Sequence, residues 1–568
     1  MKETLFSCKK HLARGLIFGL AIVFFTVTGC SEGDIDEVLV ISNIEGYSFN
    51  DQRDLFEFNV LVVKNGKVLE TGPADLTNNY PNAKHIDGAG RTLLPGIIDA
   101  HGHVSSLGYA LSRVDLRNSI SAQSAAETVG SFAAENPQIN WIRGRGWNHV
   151  LWPSKQLPTA SDLDFYVKDK PVWLERIDGH AGWANSKALQ LAGIDGNTLA
   201  PPGGEIMLDE EGKPTGVLID NAMNLVASLI SQPDENEIAL SLDAASKRLL
   251  SLGITSVHDA GTSASEHKLY AKMGDSGDLP IRIYAMISST DPQLEEILTS
   301  GHSEDIYDLY SARSVKVYTD GALGSHGAAM LNPYSDRPNH NGLLLTSNEN
   351  LRDLLKLTTA NDFQVGIHAI GDKGNRVALD QIEETYADMG GRHLRHRIEH
   401  AQVVATKDIP RFKELEVIPS MQPVHATSDK NMAEDRIGAL RLIGAYAWRT
   451  FLDQGSIIAS GSDFPVEYAN PFFGIHAAVT RQDQSNQPPN GWRSEQSMTI
   501  DEALRSFTLD AAWAAHQEQE LGGLTEGKWA DFILIDQNIF EIAPEDLWKT
   551  RVLQTWLAGQ LVYQSPEP

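Results

Sequence analysis

Cysteine is nearly missing from this chain of 568 residues: there are two, Cys8 and Cys30, both within the first thirty positions. That excludes a disulfide framework for the rest of the protein. Any metal bound further along has to be held by His, Asp, Glu or Lys. Cationic side chains are also in deficit: 47 Lys and Arg against 75 Asp and Glu give a formal net charge of −28. This excludes the basic surface that nucleic-acid phosphates require. Long apolar runs are absent too, since the stretch from Leu16 to Val27 is too short for a comfortable membrane span. No low-complexity tract or block of like charge interrupts a composition that is 42% hydrophobic and 21% charged. The chain therefore reads as globular, long enough for two to four ordinary domains or for one large α/β barrel with additions.

What is present begins with a leader. "MKETLFSCKKHLARGLIFGLAIVFFTVTGC" has a basic start (Lys2, Lys9, Lys10, Arg14), then the apolar stretch, and ends in "VTGC", which resembles a bacterial lipobox. Residues 1–29 are expected to be a lipoprotein-type signal peptide, with cleavage before Cys30 and lipidation of that cysteine. The alternative is an uncleaved N-terminal anchor helix. The expected location is exported and lipid-anchored to the bacterial envelope, in the periplasm or at the outer membrane, because Ser31 after the cysteine does not suggest inner-membrane retention.

After a short linker (30–37), "VLVISN" and "NVLVVKNGKVLETG" read as antiparallel strands, with Asn65-Gly66 as a two-residue hairpin turn. "ADFILIDQ" and "VLQTWLAGQLVYQ" near the C-terminus mirror them. A small β-sandwich built from both termini, residues 38–94 and 516–568, is expected. Between them lie eight apolar or β-branched runs: "GIIDAHGH", "ITSVHDAG", "IRIYAMIS", "SVKVYTDGA", "FQVGIHAIGD", "HRIEHAQ", "VIPSMQP" and "IIASGSDFP". Most are followed by a helical pattern. This predicts an α/β fold, a (β/α)8 TIM barrel over 95–515 whose active site lies at the C-terminal strand ends. The long gap after the first strand predicts an insertion subdomain at about 140–225 above the barrel mouth. "TIDE" from Thr499 is a capping box for a helix through about Ala515.

The polar residues recur at those strand ends. The first strand supplies His101 and His103, which at i and i+2 point to one side of a strand, the second His258 and Asp259, the fourth Lys316 and Asp320. The fifth supplies His368, the sixth His400 and the eighth Asp463. The glycine between the first two histidines is expected to leave room for two imidazoles converging on one ion. Imidazole and carboxylate suit zinc and similar divalent ions, and water bound to such an ion becomes a nucleophile near neutral pH. Asp463 is placed to shuttle the proton. His258 reads as a strand cap, Asp372 as a helix cap, and Glu399, alternating away from His400, as a structural ion-pair partner.

Lys316 stands apart, because alternation in "SVKVYTD" turns it into the barrel, where an unpaired ammonium is poorly placed. At this point the chain resembles the metal-dependent amidohydrolases, specifically the amidohydrolase 3 family, which includes enzymes similar to N-substituted formamide deformylase. The resemblance rests on "LPGIIDAHGHV", "GWNHVLWP", "DGHAGWANSKAL", "VKVYTDGALGSHGAAM", "GIHAIGD", "RIEHAQ", "ASGSDFPVE" and "LGGLTEGKWADFILID", in that order. It implies a carboxylated Lys316 bridging two divalent metal ions, with zinc the expected metal. His101, His103 and Asp463 would hold one ion and His368 and His400 the other. Asp463, Lys316 and His400 would be the catalytic set. The alternative is one ion on His101, His103, His368 and Asp463, with His400 assisting. Trp147, His180, Trp183 and Asp320 are expected to bind substrate, with His149 beside them.

The implied activity is hydrolysis of carbon–nitrogen bonds other than ordinary peptide bonds, in an amide, formamide or cyclic amide, by attack of metal-bound hydroxide on a carbonyl. A deaminase acting on a heterocycle is the rival enzyme, and a non-catalytic surface binding lipoprotein the rival from another class. The expected partners are a small-molecule substrate, the membrane through the lipid anchor, and a second copy in a homodimer, with no nucleic acid.

Overall fold

The computed structural model describes residues 38–566 except 138, 178, 180, 202, 203, 231 and 232. The expected signal peptide (1–29), the expected lipidation site Cys30 and the expected substrate-binding residue His180 lie outside the described residues.

All eight runs form the barrel strands expected of them: β1 (Ile97–Gly102), β2 (Ile254–Thr262), β3 (Arg282–Ser288), β4 (Tyr310–Tyr318), β5 (Gln364–Ala369), β6 (Arg397–His400), β7 (Ile418–Met421) and β8 (Ala459–Ser460). They pair in sequence order and all in parallel. Burial on both faces is what a parallel sheet covered by helices demands, and β7 shows it by having no exposed residue. The seam between β1 and β8 is narrow. An isolated parallel bridge joins Gly102 to Phe464. The His103 amide donates to the Phe464 carbonyl at 2.9 Å, and the Asp463 amide to the His101 carbonyl at 2.7 Å. Asp99 tightens the same seam, its carboxylate accepting from the Ser462 amide at 3.0 Å and the Ser462 hydroxyl at 2.6 Å. The barrel therefore closes at the residues expected to hold metal.

The two chain ends build one unit, bonded as a single eight-stranded sheet in which Lys84–Pro95 pairs antiparallel with Phe532–Ile535. Residues of Val60–Lys64 alternate between its faces: Leu61 and Val63 pack with Phe532 and Trp556, and Val60 and Val62 with Leu76. The Asn65-Gly66 turn has φ of 54° and 76°, the doubly left-handed geometry of a two-residue hairpin. Ala558-Gly559 repeats it at 48° and 71°.

The insertion begins earlier than about 140. Its six-stranded sheet starts at Val114–Asp115, paired with Gly144 and Arg145, and ends at Pro214–Asp220. A strand of two residues leaves no periodic signal. The helix Ala122–Glu135 packs Ala125, Ala126 and Val129 into this sheet's cluster, not onto the barrel. Near the C-terminal end the Thr499 capping box is formed, with Glu502 accepting from the Thr499 amide at 2.8 Å. Its helix breaks at Phe507 and Thr508 and resumes over Leu509–Ala514.

Candidate active site

His101 is fully buried in β1, whereas His103 has left the strand and caps the helix Val104–Leu111. Both reach Asp463, whose Oδ1 lies 3.1 Å from His103 Nε2 and 3.7 Å from His101 Nε2. Asp463 adopts φ 59°, a left-handed conformation uncommon for a residue with a side chain. The intervening glycine serves a different purpose from the one expected. A Cβ at position 102 would lie 2.3 Å from the Phe464 ring, so the glycine admits the aromatic ring of the seam and not the two imidazoles. Gly102→Ala should therefore cost about 1–3 kcal/mol of stability, read by thermal unfolding. An unchanged midpoint would mean that Phe464 moves aside freely.

Lys316 is buried in β4, its Nζ 3.2 Å from His101 Nε2 and 4.9 Å from the Tyr318 ring centroid. His368, near the end of β5, meets the His400 ring at 4.5 Å between centroids, and His400 meets His101 at 4.9 Å. His400 and the following Ala401 have φ of 74° and 41°, which ends the strand alternation. Glu399 and His400 consequently both serve the barrel interior, where simple alternation places them on opposite faces. Glu399 does pair with Arg397, at 2.5 Å, but its other oxygen lies 2.5 Å from His101 Nδ1. Likewise His400 Nδ1 lies 2.7 Å from Gln422 Oε1. Each contact ties up Nδ1 and leaves Nε2 for the cavity, the usual outer support of a metal-ligating histidine.

Electrostatics favours the forms a metal takes. Burial, then the Lys316 ammonium, pushes His101 down to about 4 against the pull of Glu399. Burial also holds His368 and His400 well below the usual imidazole range, helped by Lys316 for the first and by His368 and His101 for the second. His101, His368 and His400 are thus neutral imidazoles, the form that can bind a metal. For Asp463, burial opposes the charge, but the His103 hydrogen bond and the neighbouring His101 and His400 keep it well below the carboxylate range. Burial lowers Lys316 to about 8, although Glu399 and Asp463 act the other way.

Several expected residues stand elsewhere. Asp320 is buried and accepts the amides of Ala329, Ile370 and Gly371 at 2.8, 3.0 and 2.8 Å. It staples the loop after β4 to the end of β5, and its Oδ1 lies 3.7 Å from His368 Nε2. Trp147 and Trp183 are core residues of the insertion, their indole N–H groups donating to the Leu174 and Thr159 carbonyls at 3.0 and 2.8 Å. Aromatic clustering signalled burial there, as it does in most cores. His258 lies inside the barrel and accepts from Arg397 at 2.8 Å, while Asp259 caps the helix after His103 by accepting the Val104 amide at 2.8 Å. Asp372 opens the helix Asp372–Met389 and accepts the Leu331 amide at 2.7 Å.

The donor set is a histidine- and carboxylate-rich cluster at the C-terminal mouth of a barrel, and known proteins share its frame. The sequence profile of the amidohydrolase family matches residues 84–563. The chain belongs to the amidohydrolase family. Among its relatives, the protein LONG AFTER FAR-RED 3 of Arabidopsis thaliana is 33% identical over 92% of this chain and 91% of its own length. The N-substituted formamide deformylase of Arthrobacter pascens is 27% identical over 85% of this chain and 90% of its own. A metal-dependent hydrolase of Pyrococcus horikoshii has a solved structure that superposes with a TM-score of 0.75, at 26% identity over 89% of this chain and 99% of its own.

This amidohydrolase carries one site residue that strand-by-strand reading missed. His425 lies in the helix Pro423–Asp429, just past β7, with Nε2 3.5 Å from Asp463 Oδ2 and its ring stacked 5.8 Å from His400. Two donor groups result, His101–His103–Asp463 and His400–His425–Asp463, joined at the carboxylate. The signal was a histidine shortly after a strand end in "QPVHATSD", where the other sites also occur. The residues fit a divalent ion on the structure's own terms. The Nε2 atoms of His368 and His425 are buried without a hydrogen-bond partner among the described residues, and hydrogen-bonding groups are seldom left so.

Proposed function

We propose that this amidohydrolase cleaves a carbon–nitrogen bond other than an ordinary peptide bond in a small molecule: an amide, a formamide or a cyclic amide. The supporting observation is the convergence of two donor groups on the shared Asp463. The formamide deformylase among its relatives favours the formamide end of that range. His101, His103 and Asp463 would hold one divalent ion, preferably zinc, and His368 and His400 a second with His425 beside them, with Lys316 between the two. A divalent ion there supplies a Lewis acid that polarises a carbonyl oxygen and acidifies water.

The protein's own groups do the rest. Glu399 and Gln422 keep the Nε2 atoms of His101 and His400 turned to the cavity. Asp463 takes the proton of the attacking water, with Oδ2 facing His425, and returns it to the leaving nitrogen. Lys316 first gives up its ammonium proton; the neutral Nζ then adds to CO2, forming one N–C bond as one C–O π bond opens and releasing a second proton to solvent, so that the cationic head ends as an anionic carbamate. That conversion removes the only ammonium among the imidazoles named here.

Metal analysis coupled to a screen of N-acyl amines, N-formyl compounds, N-acyl amino acids and short dipeptides tests the reading. Chelation is expected to abolish activity and metal add-back to restore it; activity indifferent to chelators overturns the mechanism. Lys316→Ala is expected to lose metal, whereas a full complement in that variant would establish the one-ion design. Release of ammonia in place of an amine would mark a deaminase. We further propose export and a lipid anchor at Cys30, supported by "VTGC"; fatty-acid labelling should vanish in Cys30→Ser.

A further inference from the structure

A second charged cavity lies away from the metal ligands, between the helix Val104–Leu111, the inserted strand Ile142–Trp147 and the helix Glu235–Leu250. Its volume is about 510 Å³, and a neighbouring 160 Å³ recess shares Tyr109, Arg113 and Arg143 with it. The helix that follows His103 spans about 12 Å over its eight residues, and the cavity opens at its far end, so the two sites are separate.

The walls combine an apolar side with a cationic one. Phe132, Ile139, Trp141 and Ile230 form an apolar side. Opposite them stand Arg113 and Arg143, each within the electrostatic reach of Glu175 and Glu237 but with no carboxylate at ion-pair distance among the described residues. The Arg113 guanidinium rests 4.4 Å from the centroid of the Tyr109 ring, whose hydroxyl is buried without a hydrogen-bond partner among the described residues. Strand alternation explains the clustering: Ile142 and Gly144 are buried, while Arg143 and Arg145 project from the other face. Arg145 is partly engaged, donating to the Ile177 carbonyl at 3.0 Å. Burial, then Arg143 beside it, pushes Arg113 down to about 10, with Glu175 and Glu237 acting the other way, so it is charged at neutral pH. Glu175 and Glu237 stand in the same walls. Three arginines facing two glutamates leave one positive charge.

We propose that this cavity binds a small organic monoanion, with its carboxylate between Arg113 and Arg143, the Tyr109 hydroxyl donating to it, and its hydrocarbon part against the apolar side. Guanidinium pairs present planar forks matched to a carboxylate. A single excess charge and an apolar wall suit an organic acid better than a strongly hydrated phosphate.

Calorimetric titration of the metal-loaded protein with hexanoate tests this, with inorganic phosphate and hexylamine as controls. One hexanoate site per chain is expected. Its affinity should fall about tenfold or more in the double variant Arg113→Gln/Arg143→Gln, rise in Glu237→Gln, and stay unchanged in Asp463→Asn. The gain in Glu237→Gln is independent of whether the arginine variant folds, and misfolding does not produce it. Absence of hexanoate binding, equal affinity in the double arginine variant, a site lost with Asp463→Asn, or phosphate binding as tightly would each overturn the assignment.

Discussion

Asp463→Asn is expected to lose bound metal and to lower kcat/KM by about a hundred- to ten-thousandfold while the protein remains folded. The substitution removes one charge and little else. Asparagine tolerates the left-handed φ of 59° that this position adopts, so the backbone of the β1–β8 seam is kept. Alanine would mix strain with chemistry. The charge matters because one carboxylate faces three imidazoles, with Oδ1 toward His101 and His103 and Oδ2 toward His425. An amide cannot accept a proton from water or neutralise a cation held by neutral histidines. Metal content by elemental analysis and turnover should therefore fall together. A variant that keeps its full metal and a tenth of its activity would remove Asp463 from both roles.

The largest stability effect is expected at Glu399. Glu399→Ala should destabilise the fold by about 3–5 kcal/mol, measured by denaturant unfolding. It would leave Arg397 charged and fully buried, with His258, the Ala100 carbonyl and Ser420 as its remaining partners among the described residues, at 2.8, 2.6 and 2.8 Å. Glu399→Gln is the finer probe. It keeps the shape and the contact to His101 Nδ1 but removes the charge, and the loss of such an outer partner typically weakens metal affinity about 10–100-fold. The double variant Arg397→Met/Glu399→Leu should recover much of the stability, because apolar replacement of a buried ion pair costs little. It should not recover metal affinity, since His101 would lack its orienting carboxylate. Recovery of both would show that Glu399 acts only as the counter-ion of Arg397.

Chain chemistry made much of this legible in advance. Eight apolar runs became eight strands in order, because a barrel strand buried on both faces needs a short β-branched or apolar segment whatever surrounds it. Lys316 was readable for a related reason: alternation over "SVKVYTD" turns it inward, and β4 keeps that period to its end. Alternation failed at Glu399 because the left-handed residues His400 and Ala401 end β6 with a twist that no local propensity announces. Trp147 and Trp183 were misplaced because an aromatic cluster looks the same in a pocket and in the core of an inserted sheet. Asp320 has the position of a ligand, but its oxygens are occupied by amides from two other segments.

The sequence by itself determined the barrel, the paired terminal strands and the residue types at the strand ends, since these follow from periodicity, turn chemistry and the near absence of cysteine. Only the tertiary structure decided which of those residues meet. Asp463 reaches the histidine pair through two backbone hydrogen bonds across the closing seam. Glu399 becomes the support of His101, and His425 joins from a helix past β7. The physical reason is common to all three. A donor atom's partner is set by closure of the ring of strands, which brings together positions as far apart as His101 and Asp463, and no pattern confined to one segment carries that distance.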